Sequence, residues 1–313
     1  MSATLYAAVE AGGTKINCAV GAGPDDIRAR ARVATRGPAE TLAEVEAFFA
    51  AAVAEHGPVA ALGVGSFGPL DLDRASPTWG HVAATTKPGW TWVDVVGPLA
   101  RRLDCPAAFD TDVNGAALGE ARWGAGRGVD SLVYFTIGTG IGGGFITQGR
   151  ALHGLTHPEM GHVMLRRHPA DDYRGFCSFH GDCAEGLASG PAISDRLGRP
   201  LNELRTEHPF RAILADYLGQ LCAHAVLMLS PQRIILGGGV MNAGGLHAPA
   251  AERMRHHLGG FIADPRLVAE DFVVTPALGD DAGLAGAFAL AMDAANPSLA
   301  PPARGRGSAK PGG

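Results

Sequence analysis

The chain has 313 residues, enough for about two domains and a substantial buried core. Hydrophobic residues make up 46% and charged residues 18%, proportions that argue against a disordered chain. With 26 basic against 31 acidic residues and a formal charge of -5, there is no basic stripe of the kind a nucleic-acid binder carries.

The first residues, Met1-Ser2-Ala3-Thr4-Leu5, lack a charged n-region, an apolar h-region and a cleavage site, which points to the cytoplasm. No apolar run is expected to approach the roughly 20 residues needed to cross a bilayer. Residues 5–10 read as a short buried strand ending at Ala11-Gly12-Gly13, and residues 16–21 as its return. Residues 41–55 place Leu42, Val45, Phe48, Phe49 and Val53 at helical spacing. Residues 61–66 form another strand, broken by Gly68-Pro69, followed by a helix over 95–103 and a short strand over 106–110. An alanine-rich helix covers 113–123. A buried strand at 131–137 then meets Gly138-Thr139-Gly140-Ile141-Gly142-Gly143-Gly144. A long helix is expected over 210–229, a strand over 233–236 stopped by Gly237-Gly238-Gly239, and a final helix over 283–292. Residues 296–313, rich in Pro, Gly, Ala and Ser, read as a disordered tail. The alternation of strands and helices gives the α/β class. The strand, glycine turn, strand plan of residues 7–16 recurs over 132–146, which suggests two related lobes facing a cleft.

The glycine turns are the first chemical signal. At Gly12-Gly13-Thr14-Lys15 and Gly138 to Gly144, glycine allows positive φ and close backbone approach, so that successive N–H groups can cradle phosphate oxygens. Thr14, Thr139 and Lys15 add donors. Gly138-x-Gly140-x-x-Gly143 also fits the dinucleotide fingerprint, but that fingerprint needs a helix at the turn, and a strand is expected there. The spacing around Lys15 is not that of a P-loop. Gly237-Gly238-Gly239 could pass beneath an adenine or ribose.

Asp110-Thr111-Asp112 ends a strand just before a helix, where phosphoryl transfer to a hydroxyl would want a general base. One of the three must cap that helix, so either acid could be the base and either could be a cap. Glu10, ending the first strand, could help hold magnesium through water.

The five cysteines, Cys18, Cys105, Cys177, Cys183 and Cys222, make a poor disulfide framework. Cys177-x-x-His180-x-x-Cys183 with a histidine upstream supplies four ligands for tetrahedral zinc, in a glycine-rich loop that gains stability by closing on metal. His162 is the preferred fourth ligand and His157 the alternative. Four protein ligands leave no open position, which favours a structural site.

These motifs together resemble the ROK sugar kinases, most closely their fructokinase-like branch. The likeness is carried by residues 10–15, Ser66-Phe67-Gly68-Pro69-Leu70-Asp71, Lys87-Pro88-Gly89-Trp90, residues 110–120, 138–144, 157–162, 177–191 and 236–240, in order. It implies an actin-like ATPase (ribonuclease H-like) fold with two lobes closing on ATP and sugar, and a homodimer. Lobe boundaries are expected at 1–114 and 115–282, the latter holding the zinc loop, with residues 283–295 a final helix returning to the first lobe.

By that resemblance Asp112 is the catalytic base. Gly12, Gly13, Thr14 and Lys15 form the first phosphate loop, Thr139 and Gly140 the second, and Gly238 and Gly239 the adenosine turn. Glu159, His162 and Glu185 hold sugar hydroxyls, with Thr111 standing where many relatives have asparagine. His162, Cys177, His180 and Cys183 bind zinc. The implied reaction converts ATP and D-fructose to ADP and fructose 6-phosphate with Mg2+, with mannose, glucose or an N-acetylhexosamine as rival acceptors. A sugar-responsive repressor of the same family would carry a helix-turn-helix ahead of the first phosphate motif, for which residues 1–9 leave no room. A nicotinamide oxidoreductase would rest on the Gly138 fingerprint alone.

Overall fold

The structure, a computed structural model, describes residues 3–296. The expected tail falls outside the described residues beyond Asn296. The chain opens with β1 (Tyr6–Ala11), β2 (Lys15–Gly23) and β3 (Asp26–Ala34), an antiparallel meander, followed by α1 (Pro38–His56) and β4 (Leu62–Ser66). After an irregular stretch come α2 (Gly97–Leu103), β5 (Ala107–Thr111) and α3 (Asp112–Trp123). β4 runs parallel to β1, and β5 parallel to β4, so the first sheet has the order β3-β2-β1-β4-β5.

The second half repeats this plan. β6 (Ser131–Ile137), β7 (Ile141–Thr147) and β8 (Arg150–Ala151) form another antiparallel meander. Then come α4 (Ala184–Ala188), α5 (Gly190–Leu197), α6 (Phe210–Leu229), β9 (Arg233–Gly237), α7 (His247–Leu258), β10 (Val273–Val274) and α8 (Ala282–Ala295). β9 pairs parallel with β6 and β10 with β9, giving β10-β9-β6-β7-β8. Each sheet is therefore one meander extended by two parallel strands from its first member. The short echo between the two glycine hairpins marks a duplication that runs through every strand.

The packing follows from the period-2 alternation of strand side chains. In β1 and β2, Ala7, Val9, Ile16, Cys18 and Val20 join a core with Val45 and Phe49 of α1. Ala8 and Ala19 face the other way, onto Leu284, Ala287 and Phe288 of α8. The same alternation holds in the second sheet: Val133, Phe135, Ile234 and Leu236 pack with α6 and α7, whereas Leu132, Tyr134 and Ile235 pack with α3 and α8. Helices α3 and α8 thus lie between the two sheets and touch both cores.

The expectation that no segment is long and apolar enough to cross a bilayer is corrected here. α6 spans 20 residues and meets that test by length and composition. Its apolarity has another cause: 67% of the tested window is buried within the fold. Leu214, Tyr217, Leu218, Leu221 and Cys222 belong to the core of the second half.

Candidate active site

The two halves meet at the first turn of α3. The sequence leaves open which of residues 110–112 caps that helix, and it is Thr111, whose Oγ1 accepts the Asn114 N–H at 3.1 Å. The two acids have different fates. Asp110 is buried, and its Oδ1 accepts from the Thr111 N–H at 2.8 Å and Asn114 Nδ2 at 2.7 Å, with His153 Nε2 at 3.1 Å. Asp112 is the first helical residue and keeps part of its surface exposed. Burial pushes its carboxyl up to about 7, opposed by the hydrogen bond from the Val113 N–H and assisted by the nearby charges of Glu10 and Glu159. Glycine lets both sheets approach this turn: a Cβ on Gly65 of β4 would lie 3.5 Å from Asp112 Cα, and one on Gly142 of β7 would lie 3.4 Å from Val113 Cβ.

The first glycine turn, between β1 and β2, is tight. The Gly12 N–H donates to Lys15 O at 2.9 Å. Thr35, just after β3, braces it by donating its N–H to Thr14 O at 3.0 Å and its hydroxyl to Gly12 O at 2.9 Å. Gly13 and Thr14 are exposed, and a Cβ on Gly13 would meet nothing within 4 Å. Lys87 Nζ donates to Gly13 O, which brings a second ammonium beside the turn that holds Lys15. Glu10 is the penultimate residue of β1. Asn17 Nδ2 donates to its Oε2 at 2.7 Å, and burial holds its carboxyl above the usual range against that bond and Lys15.

The second and third glycine turns are joined. Gly138 O accepts from the Gly190 N–H at the start of α5, and Ile137 O accepts from the Val240 N–H at 2.9 Å. Gly238 has φ 92°, and a Cβ there would come within 2.5 Å of Ile137 O, so both conformation and space require glycine. Positive φ is not what the other turns use: Gly12, Gly13, Gly138 and Gly140 are all absent from the left-handed region. The run of glycines also divides. Gly142, Gly143 and Gly144 lie in β7, where they admit Val113, Met160 and Asn114. Only Gly138, exposed Thr139 and Gly140 form the turn. No helix starts there, so the dinucleotide fingerprint fails on structure. Glu185 of α4 lies beneath this turn, accepting the Ile141 N–H at 3.0 Å, and a Cβ on Gly140 would meet its Oε2 at 2.7 Å.

From β8 a loop leads over residues 152–159 to a 3-10 turn, Met160–His162. Gly161 presses this turn onto β7, since a Cβ would fall 1.8 Å from Ile141 O. Glu159 is exposed at its head. His162, at its tail, meets Cys177, His180 and Cys183, and their four ligand atoms lie within 4.8 Å of one another. His162 Nδ1 is 3.7 Å from Cys177 Sγ and 3.5 Å from Cys183 Sγ, and His180 Nδ1 is 3.7 Å from Cys177 Sγ. Metal bonds of about 2.3 Å to sulfur and 2.05 Å to nitrogen, at the tetrahedral angle, require about 3.6 Å between such atoms. The four residues therefore form a Cys2His2 metal-binding geometry. The alternative ligand, His157, is outside the cluster: it is buried and its Nε2 accepts the Leu70 N–H at 3.1 Å.

Two further residues belong to this neighbourhood: His153 beside Asp110, which no motif included, and Lys87 beside Gly13, which stood in a motif without a role. Their partners lie 43 and 74 residues away, and no local spacing encodes such a pairing. Two cavities, of about 320 and 170 Å3, lie away from Asp112: one around Gln148, Gln232 and Phe272, the other between Leu152, Met160 and Met228.

Comparison with known proteins bears on the family and the fold. The sequence profile of the ROK family matches residues 6–294. A fructokinase of Zymomonas mobilis is 44% identical over 299 residues, covering 93% of this chain and 98% of the relative. Among solved structures, a ROK hexokinase from Thermus thermophilus superposes with a TM-score of 0.76 at 29% identity, over 92% of this chain and 98% of its own. A ROK glucokinase from Streptomyces griseus, in complex with glucose and AMPPNP, gives 0.70 at 27% identity, over 92% and 99%. The actin-like ATPase fold that the motifs implied is the fold of these neighbours.

Proposed function

The chain belongs to the ROK family, and we propose that it transfers the γ-phosphoryl group of ATP to the 6-hydroxyl of D-fructose, giving ADP and fructose 6-phosphate. One observation carries the reading: Asp112, with its carboxyl near pKa 7, stands where the strand leading to the first glycine turn, the second hairpin and the Glu159 loop converge. A base titrating near neutral pH is suited to accept a hydroxyl proton. The substrate oxygen attacks the γ-phosphorus, its proton passes to the Asp112 carboxylate, and the bond to the ADP oxygen breaks.

The remaining residues take the roles their positions suit. The N–H groups of Gly13 and Thr14, with Lys15 and Lys87, hold phosphate oxygens from one side, in a turn that the Gly12 N–H closes onto Lys15 O, and Thr139 and Gly140 hold them from the other. Gly238 and Gly239 carry the adenosine. Glu159, His162 and Glu185 hold sugar hydroxyls. Thr111 contributes through the helix cap rather than through an amide. The carboxylate of Glu10, an oxygen donor beside the phosphate turn, fits magnesium directly or through water, and the ion would neutralise charge on the β- and γ-oxygens. Zinc is the metal best matched to two thiolates and two imidazoles, and with four protein ligands its role is structural. It would fix His162 and so the turn that carries Glu159. The assembly we propose is a homodimer in the cytoplasm.

A panel of D-fructose, D-mannose, D-glucose and N-acetylhexosamines, read by ADP release with and without Mg2+, tests the substrate. Fructose should give the highest kcat/KM and activity should vanish without Mg2+. A tenfold preference for another hexose would move the substrate assignment to that sugar, and no ADP release with any sugar would end the kinase reading.

A further inference from the structure

His157 faces a polar group on each side of its ring although it is 5% exposed. Its Nε2 accepts the Leu70 N–H at 3.1 Å. Its Nδ1 lies 3.4 Å from Glu159 Oε1. The first contact assigns the ring nitrogens: the one that accepts a backbone N–H carries the lone pair, which leaves Nδ1, the nitrogen beside the Glu159 carboxylate, as the donor. The ring also lies against the 68–69 backbone, since a Cβ on Gly68 would be 3.5 Å from His157 Cε1 and 3.6 Å from Nε2.

The two ends of this contact belong to different halves of the molecule. Leu70 closes the turn that leaves β4, and the preceding Phe67 N–H donates to Ala11 O at 2.8 Å, next to the first glycine turn. Glu159 belongs to the loop between β8 and the 3-10 turn of the second half. That loop is held elsewhere by His153 against Asp110 and by His162 in the metal cluster. His157 ties it to the turn after β4.

We infer that His157 is a positioning residue. It holds one oxygen of Glu159 so that the other is presented to the sugar, and it couples that carboxylate to the 66–70 turn of the first half, so that engaging sugar draws the two halves together. The inference rests on the reading of Glu159 as a sugar ligand.

Two conservative variants separate the ends of the link. In His157→Gln the side-chain amide oxygen can occupy the place of Nε2 and still accept from Leu70, but the donor toward Glu159 is lost. In His157→Asn the amide nitrogen can occupy the place of Nδ1 and still donate to Glu159, but the acceptor for Leu70 is lost. Initial rates are measured with ATP and D-fructose, or with whichever hexose of the panel is turned over fastest. Each variant should raise the sugar KM about tenfold while the ATP KM stays within twofold and the melting temperature within a few degrees. Sugar should slow hydrogen exchange of the 66–72 backbone in the parent and fail to do so in His157→Asn. Glu159→Gln is run alongside. A sugar KM within twofold of the parent in both His157 variants, or ATP and sugar KM rising equally with a falling melting temperature, overturns the inference and leaves the proposed function standing. An unchanged sugar KM in Glu159→Gln overturns the sugar role of Glu159 and this inference with it.

Discussion

Asp112 is the residue on which the chemistry turns, and its environment makes measurable demands. A positioned general base is worth about 10²–10⁴ in rate. Asp112→Asn should therefore lower kcat about 10³-fold while fructose affinity, measured by calorimetry, stays within threefold. A variant within tenfold of the parent kcat would remove Asp112 from the role of base. The same carboxyl sets the acid limb of the pH profile. Because burial and the charges of Glu10 and Glu159 raise it to about 7, kcat/KM should fall tenfold per pH unit below that value. Its effect on stability has the opposite sense to that of a salt-bridged acid. The folded pKa lies above the ordinary 3.8, so the folded state binds the extra proton between those values and stability falls as pH rises through that window. Asp112→Asn should thus melt higher than the parent at pH 8, and the difference should close toward pH 4. Equal melting temperatures at pH 8 would mean that the fold does not hold this carboxyl under strain.

At the scale of elements, the loop over residues 163–183 carries three of the four candidate metal ligands, Cys177, His180 and Cys183. It has isolated bridges, Met164 to Cys183 and Cys177 to Gly181, in place of a regular strand or helix, and Phe176 and Phe179 are exposed. Val163, Leu165 and Tyr173 anchor it to the core, and a metal held by the four ligands would add to its stability. Purified protein should contain about one zinc per chain by elemental analysis. Chelation or Cys177→Ser should lower the melting temperature by roughly 5 °C or more and raise the fructose KM through His162. Metal-free protein as stable as the native form would exclude a structural metal.

This element was legible because its ligands stand three residues apart in sequence, and only the fourth required the fold to choose His162 over His157. The strands of both meanders were legible from their apolar runs. Other elements were harder. β3 alternates Ile27, Ala29, Ala31 and Val33 with Arg28, Arg30 and Arg32 on its open face, but two of the four inward positions are alanine, a weak apolar signal. α7 buries only Ala250, Met254 and Leu258, a stripe too sparse to stand out. The glycine turns were legible as turns, but not the division of labour in which Gly142, Gly143 and Gly144 make room for neighbouring elements. That depends on side chains that the topology brings in from elsewhere.

At the scale of the whole molecule, the two sheets are held at a fixed offset by a seam of backbone against backbone. α8 lies between β4 and α3. A Cβ on Gly63 would fall 1.9 Å from Ala287 O, one on Gly119 2.5 Å from Ala282 O, and one on Gly286 1.8 Å from Gly115 O. Neither helix can move away from the other without moving the site, because α3 begins at Asp112 and a Cβ on Gly283 of α8 would touch Glu10 Oε1. Sequence shows glycines in both helices but not that they face each other, since the two helices are some 170 residues apart, the separation at which Arg122 hydrogen-bonds Asp293. Gly286→Ala is the change that tests the seam. The added methyl has carbonyl and backbone as its neighbours, so the helices must separate, at a cost of about 1–3 kcal/mol. The urea midpoint should fall with an unchanged slope, since the surface exposed on unfolding is nearly the same. Activity should fall further than lost stability explains, because the displacement of α3 shifts Asp112 relative to both glycine turns, and small misplacements of a catalytic group cost large factors in rate. Normal kcat in a destabilised Gly286→Ala protein would mean that the seam supports the fold alone and that Asp112 is positioned by its own helix cap.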